Sequence, residues 1–245
     1  MPRYKLTIEY DGTGYSGWQR QKDVITVQGK IEEAIKAFSG EETVLFVAGR
    51  TDAGVHALGQ VAHFDLEKDS TAWRVSEAIN FHLYGEKIII LHCEVVDEMF
   101  HARFQARQRA YSYKILQRYA RPMIDYDRVW HVKQKLDFEI MQKAAKLLIG
   151  HHDFSSFRAS GCQAATSEIT LDEIELVRVE DYIIFNIKAR SFLYHMVRNI
   201  VGSLVEVGKG KMSLDEFYRI FQAKNRELAG STAPACGLYF IEVKY

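Results

Sequence analysis

The residues best equipped for chemistry cluster in Phe46-Val-Ala-Gly-Arg-Thr-Asp-Ala-Gly-Val-His-Ala-Leu-Gly-Gln60. There Gly49, Gly54 and Gly59 punctuate a segment holding Arg50, Thr51, Asp52 and His56. Glycine lets a backbone turn sharply and come close to a ligand. An aspartate in such a loop serves one of two ends. It closes an Asx-turn on its own backbone, or it presents a carboxylate as nucleophile or base. Arg50, two residues before Asp52, and the failure of rival constellations favour the second use.

The rivals fail on context. Gly12-Thr-Gly14-Tyr-Ser-Gly17 spells GxGxxG directly after a strand-like run. A dinucleotide fingerprint needs a helix opening inside the motif, so that its N-terminus faces the pyrophosphate. Here Trp18, Gln19 and Arg20 follow, and helical periodicity begins only at Val27. No acidic residue closes a second strand about 20 residues on, and no Val-Ala-Ile-Lys or His-Arg-Asp accompanies the loop. A loop displaying Tyr15, Trp18, Gln19 and Arg20 to a nucleic acid is the better reading. The nine histidines include no HExxH, and His151-His152 cannot both face one metal from a regular helix, so no metal site is expected. No GxSxG elbow exists for an acyl-transfer serine. Cys93, Cys162 and Cys236 lie far apart without a CxxC pair and read as free thiols.

The elements that must position these residues follow from periodicity. Residues 4–10 alternate as a half-buried strand, and a glycine-rich loop runs from Asp11 to about Thr26. Val27, Ile31, Ala34, Ile35 and Phe38 mark one face of a helix that ends before Gly40. Residues 43–48 are strand-like, Gly49–Gly59 irregular, and Gln60–Leu66 a strand. A helix over 72–83, capped by Ser70 or Thr71, precedes a β-branched strand at Ile88–Val96. In the second half Ala110–Gln117 alternates, and Asp137 caps a helix through Leu148 that stops at Gly150. Residues 171–179 and 182–189 form a hairpin across Glu180-Asp181. A long helix spans Ser191 to Val207, Ser213-Leu-Asp-Glu216 opens another, and Gly237–Tyr245 ends as a strand. Hairpins without strict βαβ alternation argue α+β with largely antiparallel sheets. The expected break is near residue 104, giving halves of 1–104 and 105–245.

A chain of 245 residues, 47% hydrophobic and 26% charged, has the composition of an ordinary soluble protein. No apolar run approaches the roughly 20 residues a membrane span needs, and Met-Pro-Arg-Tyr-Lys lacks a signal-peptide core. A cytoplasmic protein is expected. With 32 basic and 32 acidic residues, the chain is not one that coats nucleic acid indiscriminately. Yet residues 101–121 carry Arg103, Arg107, Arg109, Lys114, Arg118 and Arg121 and no acid. That segment reads either as a polyanion-binding face or as a solvated strand edge.

Gly49-Arg-Thr-Asp-Ala-Gly-Val-His-Ala57 resembles the active-site signature of TruA-type pseudouridine synthases. The resemblance spans essentially the whole chain. Tyr10–Gln21 is similar to the family's N-terminal loop, and Phe100-His-Ala-Arg103 with Arg109-Ala-Tyr-Ser-Tyr113 to its central motif. His152-Asp-Phe-Ser-Ser-Phe157 and Ser191–Gly202 are similar to its two C-terminal motifs. One departure lies at Ala164–Thr170, where an Arg-Thr pair is common, and it bears only on a peripheral contact.

The resemblance implies an α+β fold in which two similar mixed halves build a central, largely antiparallel sheet with flanking helices and an active cleft between the halves. It implies isomerisation of uridine to pseudouridine at positions 38, 39 and 40 of the tRNA anticodon stem-loop, without cofactor or metal. Asp52 then matches the catalytic carboxylate, Arg198 the arginine that pairs with it, and Tyr111 the tyrosine that lies against the target base. Arg50 resembles the arginine that helps displace the target nucleotide, and Arg103 and Arg109 read as phosphate contacts beside Gln19 and Arg20. Homodimerisation is implied as well, with His152–Phe157 and the C-terminal helices as candidate interface.

Overall fold

The computed structural model describes all 245 residues, which form two compact units. The first comprises Met1–Arg107 and Tyr239–Tyr245, the second Gln108–Leu238.

In the first unit, β1 (Arg3–Tyr10) pairs antiparallel with both β3 (His56–Asp65) and β4 (Ile88–Val96). The short β2 (Phe46–Val47) also pairs antiparallel with β3. Helix α1 (Val27–Ser39) starts where Thr26 Oγ1 accepts the Gly29 N–H and stops at left-handed Gly40, as the residue types require. It buries Val27, Ile31, Ala34 and Ile35, and packs against α2 (Ala72–His82), which Thr71 caps.

The end of the chain departs from expectation. The sequence places the last strand in the second half, whereas β10 (Leu238–Lys244) runs parallel to β3, with Tyr239 opposite His56 and Phe240 opposite Ala57. Gly59 permits this approach, because a Cβ there would lie 2.4 Å from the Ile241 oxygen. Val243 and Tyr245 pack with Phe100 against Ala48, Val61 and Ala102, and the Tyr245 hydroxyl donates to the Ala102 carbonyl at 2.9 Å. The same pairing explains why β3 begins at His56 rather than Gln60: a partner strand far away in sequence extends it. The strand expected over 43–48 shrinks to the two residues of β2.

The second unit carries β5 (Gln108–Gln117), β9 (Tyr182–Ala189), β8 (Glu168–Val179) and β7 (Gly150–Asp153) in that antiparallel order. A short β6 (Trp130–Val132) pairs in parallel with the end of β5. The β8–β9 hairpin turns at Glu180, which adopts a φ of 52°. Helices α3 (Phe138–Lys146), α4 (Met196–Gly208) and α5 (Leu214–Gln222) complete the unit. Gly208 lets α3 and α4 close, since a Cβ on it would meet Met141 Sδ at 2.4 Å.

One expectation is corrected here. Helix α4 begins at Met196, not Ser191, because His195 stands in the left-handed region at φ 59° and breaks the helical path. Within the His152–Phe157 motif, Phe154 and Phe157 have no exposed surface and pack with Phe217 and Phe221, while His152, Asp153 and Ser155 stay partly exposed. Ser156 is tied by its hydroxyl to the Ile220 carbonyl at 2.7 Å.

Candidate active site

In the first unit Asp52 stands half-buried in the loop between β2 and β3. Its carbonyl accepts the Val55 N–H at 3.1 Å, closing a turn whose third residue, Gly54, takes a φ of 76°. The glycine-rich loop after β1 braces this turn. Trp18 donates its backbone N–H to the Thr51 carbonyl at 3.0 Å. Gly12 and Gly17 come so near that a Cβ would lie 2.1 Å from the Val55 oxygen and 2.8 Å from the Thr51 oxygen, respectively. The hydroxyls of Tyr10 and Thr51 hydrogen-bond at 2.7 Å, and Gln60 Nε2 donates to the Gly49 carbonyl at 2.8 Å. Buried His56 receives the Gly12 N–H on Nδ1 at 3.1 Å and stacks on Tyr239 at 4.8 Å between centroids. Burial pushes the Tyr10 phenol up to about 12, so it stays protonated beside Thr51.

The loop holds its aromatics inward, which corrects the expectation that Tyr15 and Trp18 are displayed. Trp18 has no exposed surface and lies 6.0 Å from the Tyr10 ring. Tyr15 is buried too, its hydroxyl donating to Glu86 and accepting from the Lys87 N–H. Burial wins over display because taking two large apolar rings out of water is favourable. Gln19 and Arg20 are exposed as expected; Arg20 makes an ion pair with buried Glu32 at 3.1 Å. Arg50 is exposed two residues from Asp52. Arg103 is also exposed, over the Phe104 ring at 5.8 Å.

In the second unit Tyr111 lies on β5, 9% exposed, opposite Ile187 and edge-on to Phe192 at 4.9 Å. Arg109, two residues earlier, is buried with its guanidinium on the Arg190 carbonyl, so it lacks the open position expected of a phosphate contact. Arg198 lies in the first turn of α4, half-buried, its Nε donating to the Ala233 carbonyl at 2.8 Å. Sequence reasoning missed the polar network beside it, formed by Asn199, Ser203, Arg226 and Thr232. Its signal was Asn199 and Ser203, two polar residues one turn apart in a helix whose other residues, apart from Arg198 and Glu206, are apolar or glycine. It also missed the splint of Tyr10, Gly12 and His56 around the Asp52 loop, although these residues share the motifs it singled out.

A half-buried carboxylate on a backbone fixed at four points can act on a substrate while losing little order in doing so. Comparison with known proteins gives the family. A family model described as tRNA pseudouridine synthase matches residues 6–105 and 144–245. The chain is 49% identical over 244 residues to the tRNA pseudouridine synthase A of Wolbachia pipientis wMel, covering 99% of this chain and 100% of that protein. It is 50% identical over 247 residues to the protein of the same name from Brucella anthropi, covering 100% and 98%. Matched in both units and half identical to such relatives from end to end, the chain belongs to the tRNA pseudouridine synthase family.

Proposed function

We propose that this protein isomerises uridine to pseudouridine at positions 38, 39 and 40 of the tRNA anticodon stem-loop, with Asp52 as the catalytic carboxylate. The observation that carries this reading is the bracing of the Asp52 turn by Trp18, Gly12, Gly17 and Gln60, which holds a half-buried carboxylate in place. In the reaction the C1′–N1 bond breaks, the uracil turns, and C1′ bonds to C5. The C5 proton leaves and N1 ends protonated, so no electrons are gained or lost overall. Asp52 serves either as nucleophile on the substrate or as base toward the C2′ proton. Arg198 is its proposed charge partner. Tyr111 offers a ring face to uracil and a hydroxyl as acceptor for the C5 proton. Arg50 takes the space left by the extruded nucleotide, at a cost of a few kcal/mol of unstacking. Gln19, Arg20 and Arg103 contact the RNA, and the working assembly is a cytoplasmic homodimer on tRNA.

The test is tritium release from tRNA labelled at C5 of uridine, comparing wild type with Asp52→Asn, alongside carbodiimide mapping of pseudouridine in the product. Release by wild type alone, with RNA binding intact in both and modification confined to 38–40, is the expected result. Binding without release from either protein would identify an RNA-binding module instead. Release with modification elsewhere in the tRNA would move the target while leaving Asp52 in its role.

A further inference from the structure

Helix α4 is buried along most of its length, yet Asn199 and Ser203, both without exposed surface, project from it one turn apart. Buried polar groups are costly unless bonded. Both are bonded to the segment that follows the short helical turn Arg226–Leu228. Ser203 Oγ accepts the Gly230 N–H at 3.0 Å, and Asn199 Oδ1 accepts from Thr232 Oγ1 at 2.7 Å and from Arg226 Nη2 at 3.0 Å. Arg226 also donates to Thr232 Oγ1 and to the Gly230 carbonyl, each at 3.0 Å, and to the Ala229 carbonyl at 3.4 Å. The segment presses directly on the helix. A Cβ on Gly202 would lie 1.8 Å from the Ser231 oxygen, and one on Gly230 would lie 2.7 Å from Ser203 Cα.

Four hydrogen bonds from one guanidinium thus end on uncharged oxygens, three of them on residues 229–232 and one on Asn199 of α4. Burial draws the Arg226 pKa below its ordinary value, a cost that a neutral side chain would avoid. What the guanidinium supplies is a planar fork of donors that no other residue offers. The ordered segment ends at Ala233, which has no exposed surface. Its carbonyl receives Arg198 Nε, and its N–H returns to the Arg198 carbonyl at 3.1 Å.

We propose that Arg226 is a positioning residue for Arg198: it fixes residues 229–233, and the Ala233 peptide at their end sets the plane of the Arg198 guanidinium. The proposal rests on the reading of Arg198 as the charge partner of Asp52. Arg226→Met and Arg198→Ala, singly and together, would be followed by single-turnover conversion at saturating enzyme, with tRNA affinity and thermal midpoint measured separately. Arg226→Met should slow the single turnover about 100-fold, as a misplaced catalytic group does, with tRNA affinity changed less than about threefold. In the Arg198→Ala background it should slow the reaction no further, because the two residues act in series. The same slowing factor in both backgrounds, or no slowing at all, overturns the proposal. If Arg198→Ala leaves the rate unchanged while Asp52→Asn abolishes it, the role of Arg198 falls and the proposal falls with it, while the role of Asp52 stands. Should Arg226→Met fail to fold, Thr232→Val removes the Asn199 and Arg226 hydrogen bonds at constant shape. In the same cycle it should give about a tenfold loss that vanishes without Arg198.

Discussion

The role proposed for Asp52 requires a carboxylate that is both fixed and reachable, and the residues around it divide these demands. Thr51 is buried and bonded to Tyr10, Val55 is buried beneath Gly12, and Asp52 between them keeps part of its surface. Reach is left to Arg50, Gln19 and Arg20, all exposed. A second buried histidine in this unit, His63, has a different consequence. Its Nδ1 accepts the Ala102 N–H at 3.2 Å, a bond that only the neutral ring can make on that nitrogen. Burial, then the charges of Arg3 and His101, bring its pKa down from 6.5 to about 4. An unfolded chain takes up the proton near 6.5 while the folded one refuses it down to about 4. Stability contributed by neutral His63 is therefore complete above 6.5 and lost as pH falls toward 4, by up to about 3 kcal/mol. Thermal unfolding followed across that range should show wild type losing more stability than His63→Asn, whose side-chain oxygen can still accept from Ala102. Parallel pH profiles for the two proteins would exclude His63 as the source.

At the scale of elements, two glycine-rich loops lock together ahead of the chemistry. Gly14 and Gly17 share a left-handed backbone, with φ of 92° and 89°. They differ in surroundings: nothing lies within 4 Å of a Cβ on Gly14, whereas one on Gly17 meets the Thr51 oxygen at 2.8 Å. Alanine at either position pays the left-handed penalty of about 1 kcal/mol. Only at Gly17 must the loop also withdraw from Thr51. Gly17→Ala should therefore unfold at lower denaturant by about 1–2 kcal/mol beyond Gly14→Ala, and should slow tritium release far more. Equal effects of the two substitutions on rate would show that the docking of the loops does not matter to catalysis.

On the whole-molecule scale, zero net charge leaves RNA binding to local groups, and the acid-free segment 101–121 divides into two kinds of arginine. Arg103, Arg107, Arg118 and Arg121 are exposed, whereas Arg109 is buried on the Arg190 carbonyl. A phosphate contact appears in the salt dependence of binding, while a buried guanidinium appears in stability. Arg103→Ala should reduce the slope of log Kd against log salt for tRNA by about 1 and leave the unfolding midpoint near that of wild type. Arg109→Ala should leave that slope unchanged and cost about 2 kcal/mol of stability. The reverse assignment would place Arg109 on the RNA and return the buried geometry to question.

What the sequence determined by itself is local. Thr26 and Gly40 with apolar residues at helical spacing define α1, the β-branched run defines β4, and Glu180-Asp181 between alternating stretches defines the β8–β9 hairpin. Each depends on neighbours a few residues apart, so each is legible without a fold. The short segment Gly49–Gly59 likewise marks the candidate site, because few segments need three glycines around an Arg-Thr-Asp. Tertiary structure decided where distant partners compete. Trp18 and Tyr15 turn inward because the Asp52 loop and Glu86 stand opposite them. Likewise, β3 starts at His56 because β10 pairs with it, and Arg109 is buried because Arg190 offers a carbonyl. Arg198 is aimed by a peptide 35 residues further along. Contacts of that range leave no periodicity in the chain, since burial and close backbone approach depend on what folding brings alongside.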